Sequence, residues 1–216
     1  SQGSKWCYSG AHTLKKLPRA DHRRIRDDVS TVTASANMQA QLDALPDTMP
    51  NLKILSVLTA GFYEEDLTAS LRPSFPHLTE VRLIDIAFDA IILTEELTPH
   101  LKSLEMQNVP EHCHLVIRLP ELQSVDICHW TGSSEVINTM LELATNLVSF
   151  SSYKLWVYEP LVFASNALRS VSLHRSDSLL GVTLWAPNLE ELGLQACYAL
   201  DELIVLKDHP LAKELP

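Results

Sequence analysis

The chain has 216 residues, 46% of them hydrophobic and 20% charged, and a formal net charge of −10. That balance suffices to bury a core, and the acidic sign argues against a general affinity for nucleic acid or anionic lipid. No apolar run reaches the roughly 18–20 residues that a bilayer-spanning helix needs. The charge is uneven: residues 1–28 hold seven Lys/Arg and three Asp/Glu, so they carry +4 and leave −14 to the rest. Within them Trp6, Tyr8, Leu14 and Leu17 are apolar, and the Arg-rich stretch from Pro18 to Asp28 has Ile25 as its inward residue. The segment reads as an N-terminal cap with a solvated basic end; a tethering arm is the other reading.

From Val29 onward one pattern recurs, with apolar residues at positions one, four and six. Its copies begin at Val29, Leu52, Leu78, Leu101, Leu122, Leu147, Leu168 and Leu189, spaced by 23, 26, 23, 21, 25, 21 and 21 residues. Each copy predicts one short strand followed by a return segment. After the first strand, Met38, Leu42 and Leu45 stand at helical spacing, and Pro46 and Pro50 are expected to end that helix. After the second, the run Glu64 to Leu71 is expected to be helical, with Glu64, Glu65 and Asp66 at its N-terminus and Pro73 and Pro76 stopping it. After the third, Phe88, Ile91, Ile92 and Leu97 predict another helix. The fourth returns through a β-rich His114–Pro120 segment. The fifth returns through the clearest helix, capped by Ser133 or Ser134 and apolar at Val136, Ile137, Met140, Leu141 and Ala144. The last three return through extended runs around Val162, Val182 and Ile204. Repeats of 23–26 residues have room for a helix, and those of 21 suit a strand. Helices are wider than strands, so the first half is expected to curve more. Leu211 to Leu215 resembles the opening of a further copy, so residues 29–216 are read as one repeat domain, truncated at its C-terminal end.

In such a strand positions three, five and seven face away from the core. Position three collects Thr31, Ile54, Glu80, Ser103, Ser124, Ser149, Ser170 and Glu191. Position five collects Thr33, Ser56, Arg82, Glu105, Asp126, Ser151, Ser172 and Gly193. Position seven collects Ser35, Leu58, Ile84, Gln107, Cys128, Tyr153, His174 and Gln195. The serines read either as a shallow groove for a partner's backbone or as solvated strand residues. Glu80, Glu105 and Asp126, softened by Arg82, read as a cluster for a basic partner or as a solvated face. Tyr153 is the aromatic of these columns. His129, Lys154 and Arg175 occupy position eight, with Trp130 and Trp156 close by, so an edge patch over repeats five to seven is a further candidate. Trp130 at position nine is expected to pack inward. The candidate binding residues are therefore Glu80, Arg82, Glu105, Asp126, Ser149, Ser151, Tyr153, Ser172 and His174.

Catalysis and cofactors find no support. His112, Cys113, His114, Cys128 and His129 are metal-ligand types within 18 residues, but the pattern divides them between inner and outer faces, too far apart for a zinc tetrahedron. Cys197 reads as a small buried hydrophobe. Six glycines form no phosphate loop, and G-x-S-x-G and H-E-x-x-H are absent. The four cysteines form no cap framework and no N-x-S/T sequon occurs, which favours an intracellular setting.

The chain resembles the leucine-rich repeat family over residues 29–210, as in Leu101-Lys102-Ser103-Leu104-Glu105-Met106 and Leu189-Glu190-Glu191-Leu192-Gly193-Leu194. At position nine Asn37 and Cys197 fit the family pattern, whereas Ala60, Ile86, Val109, Trp130, Leu155 and Ser176 depart from it. The resemblance implies an α/β horseshoe-shaped solenoid, with a parallel concave sheet and a mixed helical and extended convex side. It implies a scaffold that binds a protein partner. A structural or adhesive repeat protein of a surface layer or large assembly is the alternative.

Overall fold

The computed structural model describes residues 29–33, 38–58, 70–71, 74–86 and 88–205. The expected cap at 1–28, residues 64–69 of the helix expected over 64–71 and the repeat opening at Leu211 lie outside them; the end of that expected helix, Ser70–Leu71, is a strand paired to Ala90 and Ile91 instead. The elements run in order β1 (Val29–Thr33), α1 (Met38–Thr48), β2 (Ile54–Leu58), β3 (Ser70–Leu71), β4 (Glu80–Ile84), β5 (Ala90–Thr94), β6 (Ser103–Gln107), β7 (His114–Arg118), β8 (Ser124–Trp130), α2 (Ser134–Leu143), β9 (Ser149–Leu155), β10 (Leu161–Ala164), β11 (Ser170–His174), β12 (Gly181–Trp185), β13 (Glu191–Gln195) and β14 (Glu202–Val205).

The chain winds as a parallel β-solenoid. One strand per repeat enters an eight-stranded sheet, ordered β1-β2-β4-β6-β8-β9-β11-β13. The returns build a second face from α1, the three-stranded sheet β3-β5-β7, α2, and the three-stranded sheet β10-β12-β14. Between the faces lies one continuous apolar core. Position one supplies Leu52, Leu78, Leu101, Leu122, Leu147 and Leu168, and position four supplies Leu55, Val81, Leu104, Val125, Phe150 and Val171, all buried. Each element buries against its neighbours along the stack, so stability is shared from repeat to repeat.

The same turn re-enters the sheet from the second repeat to the eighth. The amide of the position-one leucine donates to the carbonyl three residues earlier, as in Leu52 to Met49, Leu78 to Phe75, Leu101 to Thr98, Leu122 to Leu119 and Leu189 to Ala186. In these five turns the second residue is Pro50, Pro76, Pro99, Pro120 and Pro187. Proline has no N–H to lose there, and its fixed φ suits that position.

Three further expectations are corrected. The first strand pairs Val29 with Ile54 and Thr31 with Ser56, two residues away from the register drawn from its apolar pattern. Its columns are Val29, Thr31 and Thr33, not Thr31, Thr33 and Ser35. The pairing thus sets Val29 at position three, although Val29 and Val32 fit the apolar pattern at positions one and four. The third return is strand β5, not a helix, with Ile91, Ile92 and Leu93 paired to Leu115, Val116 and Ile117. β-branched residues beside a ready ladder override helical spacing, and 23 residues do not compel a helix. Pro46 does not end α1, which continues to Thr48. In the last turn it removes a single helical bond, and Met49 N–H still reaches Leu45 O at 2.7 Å. The fifth return is the helix the sequence predicts: Ser133 Oγ accepts from Glu135 N–H at 3.0 Å, and Ile137, Met140 and Leu141 are buried.

Candidate functional site

Strand alternation places the candidate columns on one wall. From β2 onward the pairings follow the predicted register, through Arg82–Glu105, Glu105–Asp126, Asp126–Ser151 and Ser151–Ser172 at position five. Position seven runs Gln107–Cys128–Tyr153–His174–Gln195.

At the centre of this wall Arg82 is ion-paired to Glu80, and its Nε lies 3.6 Å from Glu105 Oε2. Asp126 Oδ1 accepts from Ser151 Oγ at 3.3 Å. Burial raises the Glu105 carboxyl above its ordinary range, and Asp126 adds to this while Arg82 opposes it. Burial also raises Asp126, against the Ser151 hydrogen bond. The cluster is partly withdrawn from water, and its acids hold their charges less readily than free carboxylates. The serine run is less uniform than its sequence suggests. Ser149 and Ser124 bond to each other at 3.1 Å, whereas Ser170 Oγ donates to Glu191 Oε2 at 3.4 Å. Cys128, in an outward column, is buried; its strand partners Gln107 and Tyr153 are both longer.

The edge after position seven has a geometry of its own. Asp85, Asn108, His129, Lys154, Arg175 and Ala196 all stand at position eight, and all have φ between 51° and 56°. At Asp85, Asn108, Arg175 and Ala196 this left-handed residue directly follows the strand, whereas His129 and Lys154 stand inside β8 and β9, which run on to Trp130 and Leu155; the Asp85, Asn108 and Arg175 amides donate to the position-seven carbonyls of Gln107, Cys128 and Gln195 at 2.8–3.0 Å. Asp, Asn and His tolerate the conformation, while Lys, Arg and Ala pay more steric strain. Two of the repeats thus keep a long cation where a smaller residue is favoured.

Those cations gather on Tyr153. Lys154 Nζ lies 5.6 Å from the ring centre and Arg175 Cζ 5.8 Å, both within cation–π range. Arg175 Nη1 also donates to the Tyr153 hydroxyl at 3.2 Å. The His129 ring stands 5.7 Å away, tilted by 51°. Burial, then the Lys154 charge, lower the His129 pKa, partly opposed by Asp85, so its imidazole is mostly neutral at pH 7. Beside them His174 bonds Ser172 Oγ through Nε2 at 2.7 Å and Gln195 Oε1 through Nδ1 at 2.9 Å, which fixes its ring.

The candidates therefore fall into two groups. Glu80, Arg82, Glu105, Asp126 and Ser151 form one contact network, and Tyr153 belongs with His129, Lys154 and Arg175. Ser172 and His174 adjoin the second, while Ser149 is engaged with Ser124. Trp130 is buried as expected, with its indole N–H unpaired. Trp156 is 51% exposed and Tyr158 71%; sequence reading placed Trp156 near this edge and passed over Tyr158.

Of the metal-ligand types, His114 opens β7 on the outer face and Cys128 sits in β8 on the inner sheet. Among the described residues no three such side chains gather in one place. Cys113 is buried, which pushes its thiol up to about 11. Among the described residues no helix is long and apolar enough to cross a membrane. Compared with protein-family models, curated proteins and solved structures, the chain matches none.

Proposed function

We propose that this chain is a leucine-rich-repeat-type scaffold that binds a protein partner. The binding surface is the concave sheet together with its C-terminal edge over repeats five to seven. The observation that carries the reading is Tyr153, half-buried and framed by Lys154, Arg175 and His129. Tyrosine and arginine held by their neighbours present a large contact area with little entropy left to lose, which is the composition of interface hot spots. The acidic network around Glu105 and Asp126 gives the adjoining surface the opposite sign, and that contrast supplies register and selectivity. The reading needs no cofactor and assigns no catalysis.

The test is saturable binding of a partner isolated from source cells by the full chain. Tyr153→Ala is expected to weaken it by about 2 kcal/mol, roughly thirtyfold. Glu105→Gln/Asp126→Asn should weaken it less. Val162→Ser, on the exposed outer face of β10, should leave it unchanged. Wild-type binding by both concave-face variants would contradict the proposal.

A further inference from the structure

We infer that the edge of repeats six and seven receives an acidic segment of the partner protein, seating side-chain carboxylates on Lys154 and Arg175 beside the Tyr153 ring. The inference rests on the protein-binding reading above and names the partner's chemistry.

Four observations carry it. Lys154 and Arg175 follow Tyr153 and His174, which face each other on paired strands β9 and β11. Parallel strands lie ~4.8 Å apart, so one or two carboxylates can meet both cations at once. Both head groups converge on one ring, at 5.6 and 5.8 Å. They are held in place before a ligand arrives, so little side-chain freedom remains to be lost.

Neither cation is paired with a carboxylate among the described residues, whose ion pairs engage Arg82 and Arg169. In a chain of net charge −10, this is a local reversal of sign, and it matches a local anion better than the bulk does.

The neighbouring strand limits what that anion can be. Asp126 on β8 pairs with Ser151 on β9, and Glu105 on β6 lies one strand beyond. An extended polyanion such as a nucleic acid or sulfated glycan would run from the cations onto these carboxylates within about 15 Å. A short acidic run in a protein segment avoids them. Trp156 and Tyr158 follow Lys154 in sequence and stand 51% and 71% exposed, a surface for an apolar residue next to the acids.

The experiment titrates the full chain with fluorescein-labelled Gly/Ser peptides that carry Asp-Glu-Leu, Lys-Lys-Leu or phosphoserine-Gly-Leu at their centre, and with labelled heparin. The Asp-Glu-Leu peptide should bind saturably and weaken several-fold as salt rises from about 0.05 to about 0.5 M. Lys154→Gln/Arg175→Gln should weaken it about tenfold with an unchanged melting temperature, and Lys154→Arg, which keeps the charge, should retain most of the wild-type affinity. Lys154→Glu/Arg175→Glu should turn preference to the Lys-Lys-Leu peptide. Absence of Asp-Glu-Leu binding, equal binding by the double Gln variant, or stronger binding of heparin would each overturn the inference. Binding of the phosphoserine peptide alone would overturn the carboxylate assignment. A partner that still depends on Tyr153 but ignores the acidic peptide would sink this inference and leave the protein-binding reading standing.

Discussion

Phe150 and Phe163 meet edge to face, with ring centres 5.0 Å apart and planes at 70°. Phe150 lies on β9 in the eight-stranded sheet and Phe163 on β10 of the opposite face, so this pair joins the two walls of the sixth repeat. Both rings are fully buried. Phe150→Ala or Phe163→Ala should cost about 3–5 kcal/mol in denaturant unfolding. A double-mutant cycle should give a coupling of about 0.5–1.5 kcal/mol. Losses under 1 kcal/mol would mean that the two walls do not share this core.

Ser152 occupies position six, where neighbouring repeats bury Ile127 and Leu173. It is itself buried, and its hydroxyl has no hydrogen-bond partner. Ser152→Ala removes a desolvated polar group at almost constant volume. It should leave stability unchanged or raise it by about 1 kcal/mol, seen as a higher melting temperature. A marked loss would show that the hydroxyl is in fact satisfied.

Ala196 isolates the backbone requirement of position eight, because at φ 55° it bears the strain without a functional side chain. Ala196→Gly should stabilise by about 0.5–1 kcal/mol and Ala196→Val should destabilise by more than that. Thermal unfolding of the three forms checks the order. If Gly lowers stability, the left-handed turn is not what this position selects.

Acidity should favour the native wall over part of its range. The carboxyls of Asp126 and Glu105 are raised in the fold, so the native state takes up their protons before the unfolded chain does. That contribution is fully present below the ordinary carboxylate range and is lost as pH rises through the raised values. Asp126→Asn should therefore stabilise at pH 7 by under about 1 kcal/mol, a modest figure because the site is partly solvated. The advantage should shrink towards pH 3 in paired unfolding curves. An advantage that grew with acidity would reverse the assigned sign.

The inner wall was legible because apolar residues at positions one, four and six must all point inward, and that fixes what faces out. Glu80, Arg82, Glu105, Asp126 and Tyr153 followed directly. The register of Val29 was not legible, because Val29 and Val32 fit the apolar pattern at positions one and four, yet the pairing sets Val29 at position three. The strand at Ala90–Thr94 was not legible either, since Ile91, Ile92 and Leu97 satisfy helical spacing too, and β7 alongside decides between them. The left-handed edge left a trace in Asp85 and Asn108, residues that tolerate positive φ, but Lys154 and Arg175 at the equivalent position hid it. Their convergence on Tyr153 depends on side-chain paths across paired strands, which no spacing encodes.

The most direct test of the central claim is photo-crosslinking from one side chain. A benzoylphenylalanine at position 153 of the full chain should capture a discrete protein partner in source cells, and the same probe at position 162 should not. Equal capture from both positions, or capture from 162 alone, would contradict the assignment of the binding surface to this edge of the eight-stranded sheet.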